Sequence, residues 1–265
     1  MIYVLTVNMD GFDNLRPPAV PEDTFVKYLC FTNVPNLPRV TPWEYRPIYP
    51  VGSGARSSRL PKIMPHLVLP SDAEFSIYHD GNFQLRRDPT RIVEQLLQEH
   101  DWAVHRHPGR DCLYDEARVI LEHHDMEGWR ILKGPEVVEQ IRNQAARYQA
   151  ADFPAHAGLW ANGFIVRKHT PEVARLNELW WEEFSNGSER DQLSFPVARC
   201  RAGMEIHSLP GNIFASPWLV KRWHAAWRTR EDNPDHWKAR DELRGRLARL
   251  QELTGSDGGI HFASY

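Results

Sequence analysis

The residues best suited to chemistry in this chain begin with Asp80-Gly81-Asn82, which follows the strand-forming run Phe75-Ser-Ile-Tyr-His79. A buried strand of that kind delivers Asp80 to a sheet edge, where a carboxylate can hold a divalent cation. Asn82 adds a neutral oxygen ligand, and Gly81 lets a bulky anion approach the backbone. The set fits metal-assisted handling of a diphosphate, in which the ion neutralises charge on the leaving phosphates. The structural alternative is a type I′ hairpin turn between Ser76-Ile-Tyr-His79 and Asn82-Phe-Gln-Leu85.

A second group is cationic. Ser53-Gly54-Ala55 opens a helix that carries Arg56, Arg59 and Lys62, and steps of three keep them in one broad sector. Such a sector is either a solvated basic face or a set of phosphate clamps, for which the planar fork of arginine is suited. Its place just upstream of the Asp80 strand favours the clamps. The third group is Ser188-Glu-Arg-Asp191-Gln192. It reads as a capping box, or as Asp191 and Gln192 at a helix start beside a substrate. There the carboxylate would bind a sugar hydroxyl, act as base, or stabilise positive charge at an anomeric carbon. Met204-Glu-Ile-His207 presents a late histidine on a short strand. His105 and His107 share a strand face near Cys112, but no second motif supports a zinc site.

These groups need an α/β frame to position them. Ile2-Tyr-Val-Leu-Thr-Val7 is a continuous run of the kind buried on both faces of a sheet, and Phe25–Phe31 is similar. They stop at Asn8 and Asn33, polar groups at carboxyl ends, where open α/β sheets bind ligands. Residues 34–50 are proline-rich and therefore largely extended. Asp88-Pro89 caps a helix over 90–99, and Trp102–His107 alternates like a strand. Helices around Leu113–His124 and Glu136–Tyr148, a strand Trp160–Arg167 and a helix Glu172–Phe184 continue the alternation. A charged helix, Lys238–Leu253, and a Gly-rich tail close the chain.

Composition narrows the classes. Hydrophobic content of 42% with 25% charged residues permits a substantial core, and a net charge of -3 gives no basic field for nucleic acid. The ten Trp residues suit either a large core or carbohydrate-binding faces, the core being the simpler account of each. Cys30, Cys112 and Cys200 are widely spaced and form no Cys-x-x-Cys pair, which points to reduced thiols. With no signal-peptide pattern and no apolar run long enough to span a membrane, the expected location is cytoplasmic.

The ordered set of motifs resembles a known family. It comprises Phe31-Thr-Asn33, Arg59-x-x-Lys62-Ile-x-Pro65-His66, Ser76-Ile-Tyr-His-Asp80-Gly-Asn82 and His107-x-x-Arg110-x-x-x-Tyr114-x-Glu116-Ala117. Val166-Arg167-x-His169 and Arg190-Asp191-Gln192-Leu-Ser-Phe195 complete it. This resembles the glycosyltransferase family shared by bacteria and plants, whose plant members include turgor-defect and mucilage-related proteins. That family is itself similar to glycogenin-like enzymes of the glycosyltransferase-A fold. The resemblance implies a Rossmann-like α/β domain over residues 1–215, with a mixed central sheet flanked by helices; the charged helix and Gly-rich tail make 216–265 an expected helical extension and tail. It implies a nucleotide-sugar donor, a UDP-sugar favoured, a glycan or other hydroxyl acceptor, and Mn²⁺ or Mg²⁺. Carried over by position, Asp80 and Asn82 hold metal and diphosphate, and Asp191 and Gln192 lie near the donor sugar. Arg59 and Lys62 match basic positions ahead of the Asp80 motif. With Asn33, and with Asn8, Arg56 and Gly81 read from their own types and places, they are the expected nucleotide contacts, and His207 stands in for a late metal ligand. Asn82 replaces a second aspartate and so removes one anionic ligand. The alternative is a catalytically inactive nucleotide- or glycan-binding module of the same fold.

Overall fold

The computed structural model describes residues 1–19, 23–48, 51, 53–123 and 135–222. In chain order the elements are β1 (Ile2–Val7), β2 (Val26–Thr32), β3 (Trp43–Pro47), α1 (Gly54–Ile63), α2 (Pro65–Val68), β4 (Phe75–His79), β5 (Phe83–Leu85) and α3 (Pro89–Leu96). They continue with β6 (Trp102–Arg106), α4 (Leu113–His123), α5 (Pro135–Ala150), β7 (Trp160–Lys168) and α6 (Pro171–Ser185). α7 (Asp191–Ala202), β8 (His207–Leu209), a 3-10 turn (Ile213–Ala215) and β9 (Leu219–Lys221) follow.

The central sheet has seven strands in the order β3-β2-β1-β4-β7-β6-β8. β7 runs antiparallel to both neighbours, and the other pairings are parallel. This is the mixed α/β architecture expected from the resemblance. β1 shows why the sequence builds it. Ile2 and Val4 join one apolar cluster with Ile92, Val93 and Leu96 of α3. Tyr3, Leu5 and Val7 join another with Trp180, Phe184 and Phe195 of α6 and α7. Successive side chains point to opposite faces, so a strand covered on both sides must be apolar throughout. Within the proline-rich stretch, Trp43–Pro47 is an edge strand, a position that tolerates proline.

Since β1, β2, β4 and β6 are mutually parallel, their carboxyl ends share one sheet edge. Asn8, Asn33, Asp80 and His107 all follow strand ends there, and β7 begins there at Trp160. The first compact unit is Met1–Arg222. The boundary expected after residue 215 falls inside it, because β9 pairs with β5. The expected helix at Lys238–Leu253 lies outside the described residues. No described helix is long and apolar enough to cross a membrane.

Candidate functional site

Asp80 follows β4 directly, and its N–H donates to the Gly163 carbonyl of β7 at 2.9 Å. Phe83 N–H donates to the Asp80 carbonyl at 2.9 Å, so Asp80–Phe83 is a turn, and Asn82 lies within it. The turn makes no hairpin, because β5 leaves β4 and pairs antiparallel with β9. The buried Tyr78 hydroxyl donates to Asp80 Oδ1 at 2.8 Å. Burial, followed by the charge of Asp80, pushes the Tyr78 pKa well above its ordinary value and keeps that hydroxyl a donor. The Asp80 side chain is 42% exposed, so its carboxylate faces solvent from a buried base.

A residue that the sequence reading did not single out completes this corner. A Cβ on Gly81 would run into the carboxylate of Asp13, so the close anionic neighbour of this glycine is a side chain. A Cβ on Gly163 would stand 2.8 Å from Asp80 Oδ2, so glycine leaves room for that carboxylate too. Asp13 is placed by the loop after β1. Asn8 Oδ1 accepts from Asp13 N–H at 3.0 Å, and Asn8 Nδ2 donates to the Asp13 carbonyl at 2.8 Å. Asn33 Oδ1 accepts from Asp10 N–H at 2.8 Å, and Asn33 Nδ2 donates to Asp10 Oδ1 at 2.7 Å. Asn8 and Asn33, expected at the nucleotide, therefore use their amides to shape this loop. A carboxylate soon after a strand end was the only sequence signal for Asp13. The Asp80 and Asp13 carboxylates beside Gly81, with Asn82 in the same turn, supply the hard oxygens that Mn²⁺ or Mg²⁺ takes. Asp13 adds the negative charge that Asn82 lacks, so the residues present fit the ion.

Helix α1 delivers two cations. Lys62, in its last turn, is 3% exposed. Its Nζ lies 2.5 Å from Asp191 Oδ2, 3.8 Å from Asp80 Oδ1 and 5.3 Å from the centre of the Tyr78 ring. Arg59, one turn earlier, places Nε 3.8 Å from Asp191 Oδ1. The end of α1 is pinned by Arg167, a fully buried residue of β7. Arg167 donates to the Lys62 carbonyl at 2.6 Å and to Asn177 Oδ1 of α6 at 3.0 Å, and it stacks 4.7 Å over Trp102. Burial lowers its pKa to about 9, which still leaves it charged at neutral pH.

Asp191 is the first residue of α7 and is 4% exposed. Burial alone would raise its pKa; the charges of Lys62 and Arg59 outweigh it and bring the pKa down to about 2. The capping-box expectation fails. The N-cap is Arg190 with no side-chain cap bond, and Ser188 Oγ donates instead to Gln144 Oε1 at 2.6 Å. The Asp191 carboxylate turns towards α1 because two cations there outcompete its own amides. Gln192 Oε1 accepts from Arg190 Nη2 at 2.5 Å, and its Nε2 donates to the Trp160 carbonyl at 3.4 Å.

Arg190 links this corner to a second cluster. It also donates to Glu116 Oε1 at 3.0 Å, while Arg110 Nε donates to Glu116 Oε2 at 2.7 Å. His107 Nε2 lies 3.8 Å from the same carboxylate. Glu116 is 1% exposed. Burial acts to raise its pKa, and the two arginines reverse the shift to below the ordinary value. Burial lowers the His107 pKa to about 4.

Two expected site residues go elsewhere. Arg56 donates to the carbonyls of Phe184, Ser185 and Gly187 at 3.2, 3.3 and 2.7 Å. It closes the carboxyl end of α6, where unpaired carbonyls favour a cation, and its donors do not face Asp80. His207 sits on β8, three strand spacings from β4, or about 14 Å. Its Nδ1 lies 2.9 Å from the Leu96 carbonyl oxygen. The structure does not bring it to Asp80.

Fold and site together define a mixed α/β protein with an acidic corner and two cations at the carboxyl edge of its sheet. Residues 49–216 match the family described as TOD1/MUCI70, glycosyltransferase-like domain, and the chain belongs to that family. It is 25% identical over 254 residues to the Arabidopsis thaliana protein named "Probable hexosyltransferase MUCI70", covering 86% of this chain and 43% of that protein. It is 24% identical over 150 residues to "Alkaline ceramidase TOD1" of the same plant, covering 55% of this chain and 31% of that protein. The chain thus spans less than half the length of these curated relatives. Among solved structures, apo mouse xyloside xylosyltransferase 1 aligns with a TM-score of 0.42 and 10% identity, over 79% of this chain and 85% of that one.

Proposed function

We propose that this protein transfers a hexose from a nucleoside diphosphate, UDP favoured, to a glycan or other hydroxyl acceptor. The observation that supports the reading most is the buried Lys62 ammonium held between Asp80 and Asp191, with Arg59 beside it. Two cations and an open acidic corner at the carboxyl edge of a parallel sheet suit a charged diphosphate next to a sugar. In transfer, the bond from the anomeric carbon to the diphosphate breaks, and its electron pair leaves with the phosphate. The acceptor oxygen bonds to that carbon, and its proton passes to the departing diphosphate. Arg59 and Lys62 stabilise the departing charge from fixed positions. Asp191, ionised at neutral pH, stabilises the electron-poor anomeric carbon, and Gln192 orients the sugar. Asp80, Asp13 and Asn82 would hold Mn²⁺ or Mg²⁺, which when bound adds positive charge beside the diphosphate. The hexosyltransferase name of one relative agrees with a hexose donor.

The second reading is a nucleotide- or glycan-binding module without turnover. It draws on the 2.5 Å contact of Asp191 with Lys62, which the reaction would have to exchange for contacts to the donor. The test incubates the protein with a panel of nucleotide sugars, with and without Mn²⁺, and measures released nucleoside diphosphate. Turnover that collapses in both Asp191→Asn and Asp191→Ala, with donor affinity mostly kept, supports the transferase. Tight binding with no release from any donor supports the module. Fatty-acid release from ceramide with no donor turnover would sink both.

A further inference from the structure

Cys112 stands immediately before α4, with Asp115 in the first turn of that helix, and His156 lies in the loop between α5 and β7. The loop is folded back by Gly158, at a φ of +98°, where a Cβ would strike the Trp160 ring; Gly158 N–H then donates to the Asp111 carbonyl at 3.0 Å. The return places a ring nitrogen of His156, the Cys112 sulfur and a carboxylate oxygen of Asp115 within 4.8 Å of one another. Tetrahedral zinc, with ligand bonds of 2.0–2.3 Å, keeps its ligand atoms about 3.5 Å apart, so side-chain shifts of about 1 Å close the set. His156 Nδ1 lies 2.7 Å from Asp111 Oδ1. That carboxylate orients the ring, an arrangement common at metal-bound histidines. Cys112 is 3% exposed, whereas His156 is exposed, so the sulfur forms the floor and the imidazole the rim. Asp115 also contacts Arg118 at 3.4 Å, an exposed pair that is cheaply exchanged. The partners of Cys112 are thus not His105 and His107. His105 Nε2 pairs with Ser216 Oγ at 3.2 Å, and His107 Nδ1 accepts from Gly109 and Arg110 N–H.

We propose that Cys112, Asp115 and His156 form a zinc site, completed by a solvent water, that clips the loop before β7 to the start of α4. Thiolate, imidazole and carboxylate together select a borderline-soft ion of the zinc type over the hard ions suited to Asp80. The thiol proton passes to solvent on binding. The site is separate from the acidic corner in donor chemistry, and it stands whether or not the protein turns over a nucleotide sugar. Its place gives it a role, because the loop ends at Trp160, whose carbonyl accepts from Gln192.

The test titrates the metal-free full chain with Co²⁺ alone as a spectroscopic probe, and with Zn²⁺ alone by calorimetry. The expected result is one equivalent showing a thiolate-to-cobalt charge-transfer band, displaced by Zn²⁺, and Zn²⁺ protection of Cys112 from alkylation. Zinc at a hundredfold excess over its Kd should raise the Tm by about 5 °C. Cys112→Ser should remove the band. His156→Gln, an exposed change that spares the fold, should weaken Zn²⁺ binding at least tenfold, whereas Asp80→Asn should leave the band intact. No thiolate band at one equivalent, a band that survives Cys112→Ser, or unchanged affinity in His156→Gln would each overturn the proposal.

Discussion

The Asp191 cluster and the Glu116 cluster are both built from carboxylates and cations and are joined through Arg190, yet they differ in access. In the first, Asp191 and Lys62 are buried, but Asp80 opens to solvent with its side chain 42% exposed. In the second, Glu116 is 1% exposed and is enclosed by Arg110, Arg190 and His107. A cluster whose carboxylate is enclosed, with Arg110 and Arg190 only 21% and 14% exposed, serves chiefly to hold the fold. An open one can trade an internal partner for a substrate group. Burial of charge therefore does not mark a site; an open member in contact with buried ones does.

The largest expected effect falls on the closed cluster. Glu116→Gln would leave Arg110 and Arg190 short of their shared anion, and should cost about 3–5 kcal/mol in urea unfolding. Asp80→Asn, on the open side, should move the Tm by only a few degrees while abolishing metal-dependent nucleotide binding. Equal losses in the two variants would break the distinction between them. Next comes Lys62→Met, which removes the ammonium shared by Asp80 and Asp191. It should lower donor turnover by about a hundredfold to a thousandfold, as expected for loss of a fixed electrostatic partner. Arg56→Ala, on the same helix but engaged with α6, should leave nucleotide affinity unchanged and lower stability instead. A matching loss of affinity in Arg56→Ala would restore it to the site.

A pH titration separates buried histidines from the Asp191 carboxylate with a smaller effect. His105, His107 and His169 each have a folded pKa of about 4 against 6.5 when unfolded, chiefly through burial, to which nearby arginines add at His107 and His169. As pH falls through this window the unfolded chain takes up protons first, so stability should decline steadily from about pH 6.5 to 4. Asp191, at about 2 against 3.8, stabilises the fold above pH 4 and loses that contribution as pH falls towards 2. Unfolding measured by circular dichroism at stepped pH should thus show a histidine phase before a carboxylate phase. A flat response down to pH 4 would mean that these histidines are not held neutral. The smallest effect is expected for His207→Ala, which should leave Mn²⁺-dependent nucleotide affinity at the wild-type value by calorimetry. A loss there would move β8 into the site.

Local patterns were enough to determine part of this protein. The apolar run Ile2–Val7, the strand stopping at Asp80, the helix opened by Ser53 and the shared face of Arg59 and Lys62 were all legible, because periodicity and capping act over a few neighbouring residues. The same spacing could not distinguish Arg56 from Lys62. Only tertiary packing set one against the carbonyls ending α6 and the other between two carboxylates. Nor could it show that Asp13 would lie against Gly81, that β5 would abandon β4 for β9, or that Asp191 would prefer α1 to its own helix amides. Periodicity tells which side chains share a face, whereas the role of a polar group depends on the partner that face meets. In each of these cases that partner comes from a segment distant in the chain, brought near by the packing of strands and helices.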